Sequence, residues 1–138
     1  MSLFNEIWPT GWTAWNPTLA VSGGTPPTYT SRFVSRYCRL GDNIFAMIDW
    51  ANTTGGTAGA GANAITVTYP GSLTPANVSG TIGTGKYIET GAADGLTASY
   101  NSASTFLMAL NSSSVNLIGT DQSTDVRAIR LILMYEVA

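Results

Sequence analysis

Hydrophobic positions in this chain recur at every second residue, in short runs broken by clusters of Gly, Ser, Thr, Asn and Pro. The clearest alternation closes the chain. Ile129, Leu131, Leu133, Tyr135 and Val137 share one face of an extended segment, and Ala128, Arg130, Ile132, Met134 and Glu136 share the other. The second face is half apolar. A subunit interface leaves such a face, and so does a central strand buried on both sides. The run Ile44–Trp50 repeats the pattern, with Ile44, Ala46, Ile48 and Trp50 on one side and Phe45, Met47 and Asp49 on the other. Two strands with two apolar faces point to an oligomer whose subunit interface holds Phe45, Met47, Arg130, Ile132 and Met134.

The run Arg36–Trp50 reads as two strands joined at Gly41-Asp42-Asn43, residues that tolerate the positive φ of hairpin turns. Strands are expected near 18–21, 28–39, 44–50, 64–69, 78–82, 86–89, 96–100, 105–110, 115–118 and 126–137. The separators are residues 22–27, the Gly-rich loop 53–63, Pro70-Gly71, Gly83-Thr84-Gly85, Gly91–Gly95, Asn111–Ser114 and Gly119–Thr124. Short, regularly spaced strands predict an all-β antiparallel sandwich or barrel. No segment carries a 3.6-residue apolar period, so little or no helix is expected. The 138 residues make one domain, 18–138, preceded by an arm over 1–17.

The arm interleaves Trp8, Trp12 and Trp15 with Pro9, Gly11 and Pro17, which disfavours helix. Each tryptophan can bury roughly 200 Å², so three do not stay wet cheaply. Two readings stand side by side. The arm lies over its own β core, or Trp8, Pro9, Trp12 and Trp15 dock on a neighbouring subunit or larger assembly.

Composition narrows the classes. Charged residues are only 10% of the chain and hydrophobic ones 44%, which suits a rigid β shell solubilised by hydroxyls and amides rather than a disordered chain. A net charge of −2 without a basic stripe gives no ground for nucleic-acid binding. No run approaches the ~20 apolar residues of a membrane span. Cys38 is the single cysteine, which excludes an internal disulfide, and its mid-strand place reads as buried apolar filler. Residues 1–7 lack the basic and apolar regions of a secretory signal. An adhesin-like composition without an export signal fits a virus particle, whose parts fold in the host cytoplasm and work outside it, on the virion surface.

Catalytic chemistry is sparse. Without histidine the Ser-His-Asp, Cys-His and common zinc arrangements are closed to this chain. Asp42, Asp49, Glu89, Asp94, Asp121, Asp125 and Glu136 offer carboxylates, but no spacing singles out a glycosidase pair. Asp49, inside an apolar strand, is expected to pair with Arg36, Arg39 or Arg130. Asp121 with Asp125 is the one weak calcium candidate, without the twelve-residue loop pattern. Loop 53–63 lacks the Lys and following helix of a phosphate loop, and reads as a flexible hairpin loop. No catalytic residue, cofactor or metal is assigned.

The segment Trp12-Thr13-Ala14-Trp15-Asn16-Pro17-Thr18-Leu19 with Tyr29-Thr30 resembles the opening of a β-sandwich module found in bacteriophage virion proteins. Arg36-Tyr37-Cys38-Arg39-Leu40-Gly41-Asp42-Asn43-Ile44-Phe45 resembles its hairpin. Residues 53–61 with Ile65-Thr66-Val67-Thr68-Tyr69-Pro70 resemble its Thr/Gly loop and following strand, and Ile132–Ala138 its closing strand. The correspondence runs over residues 12–138 and consists of strands and turns, not reactive groups. It implies a jelly-roll-like rather than immunoglobulin-like arrangement, a homotrimer, and a place on tail-fibre tips or capsid exteriors.

The module begins close behind Met1, which favours a stand-alone accessory protein. The first expectation is therefore a non-enzymatic capsid decoration (cement) protein attached to capsid or tail proteins through the arm. The alternative is a receptor-binding tip for host-surface carbohydrate, with Tyr69, Tyr87 and Tyr100 beside Asn63, Asn77 and Asn101. A polysaccharide-cleaving tip is the remote one.

Overall fold

The computed structural model describes residues 11–53, 55–89, 92–121 and 126–138. Its strands are β1 (Thr13–Ala14), β2 (Leu19–Val21), β3 (Arg32–Leu40), β4 (Asn43–Asn52), β5 (Ile65–Thr68), β6 (Thr81–Glu89), β7 (Ala92–Tyr100), β8 (Thr105–Leu110), β9 (Val115–Asn116) and β10 (Arg127–Glu136). Among the described residues the only helical pieces are single 3-10 turns at Pro70–Ser72 and Gly119–Asp121. The protein is all-β, as the two-residue period predicts.

Hydrogen-bonded neighbours run β1-β3-β4-β10-β6-β7-β8-β5-β2, with β9 beside β8, and every pairing is antiparallel. A sheet this wide twists and curls, and here its inner face closes on one core, giving a sandwich-like layering. The two ends of the path are neighbours in sequence. Residues 15–18 connect β1 to β2, so the sheet's opposite edges lie at most about 18 Å apart. Trp15 N–H donates to Ser35 O (2.9 Å), and Thr68 N–H donates to Thr18 O (3.2 Å), fastening the crossing at both sides.

Alternation sets the core. In β4, Ile44, Ala46, Ile48, Trp50 and Asn52 are buried; in β10, Arg127, Ile129, Leu131, Leu133 and Tyr135 are buried. Register places Trp50 opposite Ile129, Ile48 opposite Leu131 and Ala46 opposite Leu133. Ile65, Val67, Leu96, Ala98, Phe106, Met108 and Leu117 close the far side. Trp50 is fully buried, stacked on Phe33 at 4.9 Å between ring centres, and donates from Nε1 to Ser35 Oγ at 2.8 Å.

Several expected boundaries move. Gly83-Thr84-Gly85 is not a turn but the middle of β6. A Cβ on Gly85 would lie 2.0 Å from Arg130 O, and one on Gly83 2.4 Å from Ile132 O. Both glycines let β6 run close against β10. Residues 92–95 belong to β7 rather than to a separator, and β3 starts at Arg32 rather than near 28. Val78–Gly80, expected in a strand, precede β6 and lie in a local turn in which Ser79 N–H donates to Asn77 Oδ1 (3.0 Å). Thr13–Ala14, expected as arm, form a short strand on β3.

Loop 53–63 is tied down where it is described. Thr25 and Ala60 exchange backbone hydrogen bonds of 3.0 and 2.9 Å, and Thr57 N–H donates to Thr28 Oγ1 at 2.7 Å. Its small residues have a packing reason: a Cβ on Gly59 would lie 2.3 Å from Gly119 O.

Candidate interaction face

The outer face of the β3-β4-β10-β6 section carries the exposed apolar side chains that the two-faced strands predict. Pairing arranges them in rows across the strands. Arg36, Met47, Ile132 and Thr84 form one row. Cys38, Phe45 and Met134 form the next, and Val34, Asp49, Arg130 and Lys86 lie on the other side. Ile132 and Met134 are 60% and 62% exposed, unusual for large apolar residues mid-strand. Phe45 and Met47 are half-buried beside them.

Trp12 extends this surface. It is 37% exposed, and Arg36 lies 5.3 Å from its ring centre, a cation–π distance. Arg36 Nη2 in turn approaches Met47 Sδ at 3.6 Å. The row Trp12-Arg36-Met47-Ile132 is thus a continuous strip of apolar and guanidinium surface. Beside it a shallow depression of about 300 Å³ lies between Met47, Asp49, Lys86, Arg130 and Ile132.

Asp49 is the anchor of the charged part. Arg32 Nε donates to its Oδ2 at 2.6 Å, and Arg130 Nε stands 3.4 Å from its Oδ1 without hydrogen-bond geometry. The expected pairing with Arg130 is present as an ion pair. Arg36 and Arg39 are not its partners, because Arg36 turns to Trp12 and Met47 and Arg39 to Gly41 O and Asp42. Arg32, inside the expected strand 28–39, was not named as a partner; its register partner is Ala51, and it reaches Asp49 diagonally.

The remaining sequence candidates are dispersed. Trp8 and Pro9 lie outside the described residues. Trp15 is a core residue, 9% exposed, so its ring serves this chain's own interior. Cys38 is buried as expected, but its register with Phe45 puts it on the outer side of the sheet. Burial raises its thiol pKa.

The carbohydrate set does not form a platform. Tyr69 and Tyr87 are buried, Tyr69 against Phe106 and Tyr135, and neither offers an open ring face for a sugar. Burial pushes the Tyr69 hydroxyl pKa up to about 12; it approaches the Asn101 backbone without a well-formed hydrogen bond. Tyr100 is half-buried. Asn63 is exposed but its amide donates to Ser22 O, and that of Asn101 to Thr105 Oγ1. Asp125, half of the calcium candidate, lies outside the described residues, which contain no cluster of three His, Cys, Asp or Glu suited to a metal.

Arg127 was not anticipated. It is 1% exposed, its Nη2 donates to Thr28 O (2.7 Å) and Thr57 O (2.6 Å), and its guanidinium lies 5.3 Å from the Tyr29 ring centre. Its cross-strand partners are Asn52 and Glu89, and Tyr87 Oη donates to Glu89 Oε2 at 2.6 Å. The signal was in the sequence: Arg127 has the parity of Ile129 and so points inward. This network ties loops to strands inside the fold. No family model matches the chain, and neither a curated protein nor a solved structure does.

Proposed function

We propose that this chain is a non-enzymatic structural protein of the bacteriophage virion surface. On this reading it is a capsid decoration protein that works as a homotrimer and attaches through its N-terminal arm. The observation that carries the reading is the apolar strip of exposed Ile132, Met134 and Trp12 with half-buried Met47 on the outer face of the β shell. Contiguous apolar surface of this kind costs solubility unless another macromolecule covers it. The strip borders an open, shallow depression rather than a deep cleft, which suits protein contact better than turnover. The resemblance over residues 12–138 supplies the phage setting. Trp12, at the described end of the arm, stands at the margin of the strip, where an attachment point would be continuous with it.

Attachment by a decoration protein stabilises a shell through linkage: whatever binds only the intact lattice shifts it away from rupture. Cryo-electron microscopy of particles carrying the protein tests the reading. Density repeated over the capsid lattice is the expected result. Density confined to fibre or tail ends would move the function to receptor binding, and a protein that joins no particle would overturn the reading. Deleting residues 1–10 is the clean test of the arm, since Trp15 belongs to the core. Shell binding should be lost while the fold persists.

A further inference from the structure

The outer face is ordered by charge along its strands. At one end Arg32, Arg130 and Lys86 gather around Asp49, three cations to one anion, with the Arg32 and Arg130 side chains 55% and 69% exposed. In the middle Met47 faces Ile132 and Phe45 faces Met134. At the far end Glu136 is exposed opposite Asn43, and the adjoining turn holds Asp42, 76% exposed, beside a single cation, Arg39. The face is positive at one end, apolar in the middle and negative at the other.

The geometry points to a second copy of this chain as the occupant of this face. The two copies pack face to face about a two-fold axis lying across the strands. That axis reverses strand direction. Passing between the levels of Ile132 and Met134, it sets Arg130 of one protomer against Glu136 of its partner, and Ile132 against Met134. Each contact occurs twice, as an isologous interface requires. An axis along the strands would instead stack the positive ends on each other, with like-charge repulsion in a partly desolvated contact. From Arg130 to Glu136 is six residues, about 20 Å of strand, so the opposite charges are far enough apart for register to be selected. A partner protein with one sign of charge would match only half of the face.

This pairing goes beyond the proposed function: it assigns the middle of the strip, Met47, Ile132 and Met134, to a second copy and leaves the margin at Trp12 and the arm to the shell, so it holds or fails whatever particle the protein joins. Each copy has one such face, so assemblies contain an even number of copies, whether dimers or paired trimers. Native mass spectrometry and sedimentation of the full chain should show this, and a mass of one or three copies would overturn it. The sharper test uses Arg130→Glu and Glu136→Arg as separate proteins. Alone, each brings like charges together twice and should self-associate about tenfold or more weakly. Mixed in equal amounts, the two are complementary at both contacts and should recover wild-type affinity as mixed pairs. Failure of the mixture to pair, with both variants folded by circular dichroism, would overturn the proposal. Ile132→Asp should halve the native mass, and an unchanged mass would count equally against it.

Discussion

Arg127 lies with its guanidinium 5.3 Å from the centre of the Tyr29 ring, sealed inside the fold at one end of β10. The guanidinium is shielded from solvent. It is held by the carbonyls of Thr28 and Thr57, from two loops joined by the Thr25–Ala60 bridge and by a Thr28 N–H donated to Thr57 O (3.1 Å). A buried cation is costly unless it is fully hydrogen-bonded, and removing it strands the acceptors that depended on it. Arg127→Ala should therefore cost about 3–5 kcal/mol of unfolding free energy. Arg127→Lys should recover only part, because one ammonium does not reproduce the planar fork. Urea unfolding followed by tryptophan fluorescence reads both, and a loss under about 1 kcal/mol for the alanine variant would refute the structural role.

Gly85 tests the close approach of β6 to β10. A methyl group at this position has no space, because the obstacle is Arg130 O, a backbone atom of a central strand. Gly85→Ala should destabilise by roughly 1–3 kcal/mol through overpacking. Gly41→Ala, at positive φ (61°) in an open turn, should cost about 1 kcal/mol from backbone strain alone. Thermal melts of the two variants should separate them in that order. Equal small losses would mean that β6 can move off β10.

Of these two sites Gly41 was legible in the sequence and Gly85 was not. β10 and β4 announced themselves because each buries one face completely, so every second residue is apolar and parity alone assigns Ile129–Tyr135 and Ile44–Trp50. The hairpin at Gly41 was readable for the same local reason. Gly83 and Gly85 were misread because a glycine is informative only about the absence of a side chain. A turn and a strand pressed against its neighbour demand that equally. The outer strip was foreseen through Met47, Ile132 and Met134, all on the alternate parity. Arg32 and Trp12 were harder, since their places depend on the β3–β4 register and on β1 pairing with Tyr37 and Arg36, non-local facts. The path that brings β2 and β5 to the opposite end from β1 has no local signature at all.

Trp12 separates surface attachment from folding. Its ring is partly exposed, and its described partner is the Arg36 guanidinium, a contact worth about 0.5–1 kcal/mol at an exposed site. Trp12→Ala should lower stability by no more than that, yet it should abolish or strongly weaken binding to the shell if the Trp12 margin of the strip is the attachment point. Trp15→Ala should do the reverse in magnitude, costing about 3–5 kcal/mol as a core aromatic. Melting curves and co-sedimentation with shells distinguish the two. A Trp12 variant that binds shells like the wild type would remove the Trp12 margin of the strip from attachment.

Alkaline pH should unfold this protein through its tyrosines. Burial, the largest cause in each case, raises the pKa of Tyr29, Tyr69 and Tyr135 above the ordinary value of 10.0, with Tyr69 reaching about 12. Arg127 opposes the shift at Tyr29 without cancelling it. A phenol with a folded pKa above its unfolded one binds its proton more tightly when folded. That stabilisation is complete below pH 10, where both states are protonated, and is lost as pH rises from there through the folded pKa. Unfolding free energy should therefore be insensitive to these groups at neutral pH and fall steadily from about pH 10 to 12. Absorbance at the phenolate band gives an independent reading. Of the six tyrosines, Tyr29, Tyr69 and Tyr135 should stay silent until the fold is lost, then titrate together with the collapse of tryptophan fluorescence. Six phenols titrating smoothly near pH 10 in the folded protein would mean that these three rings are not buried in solution.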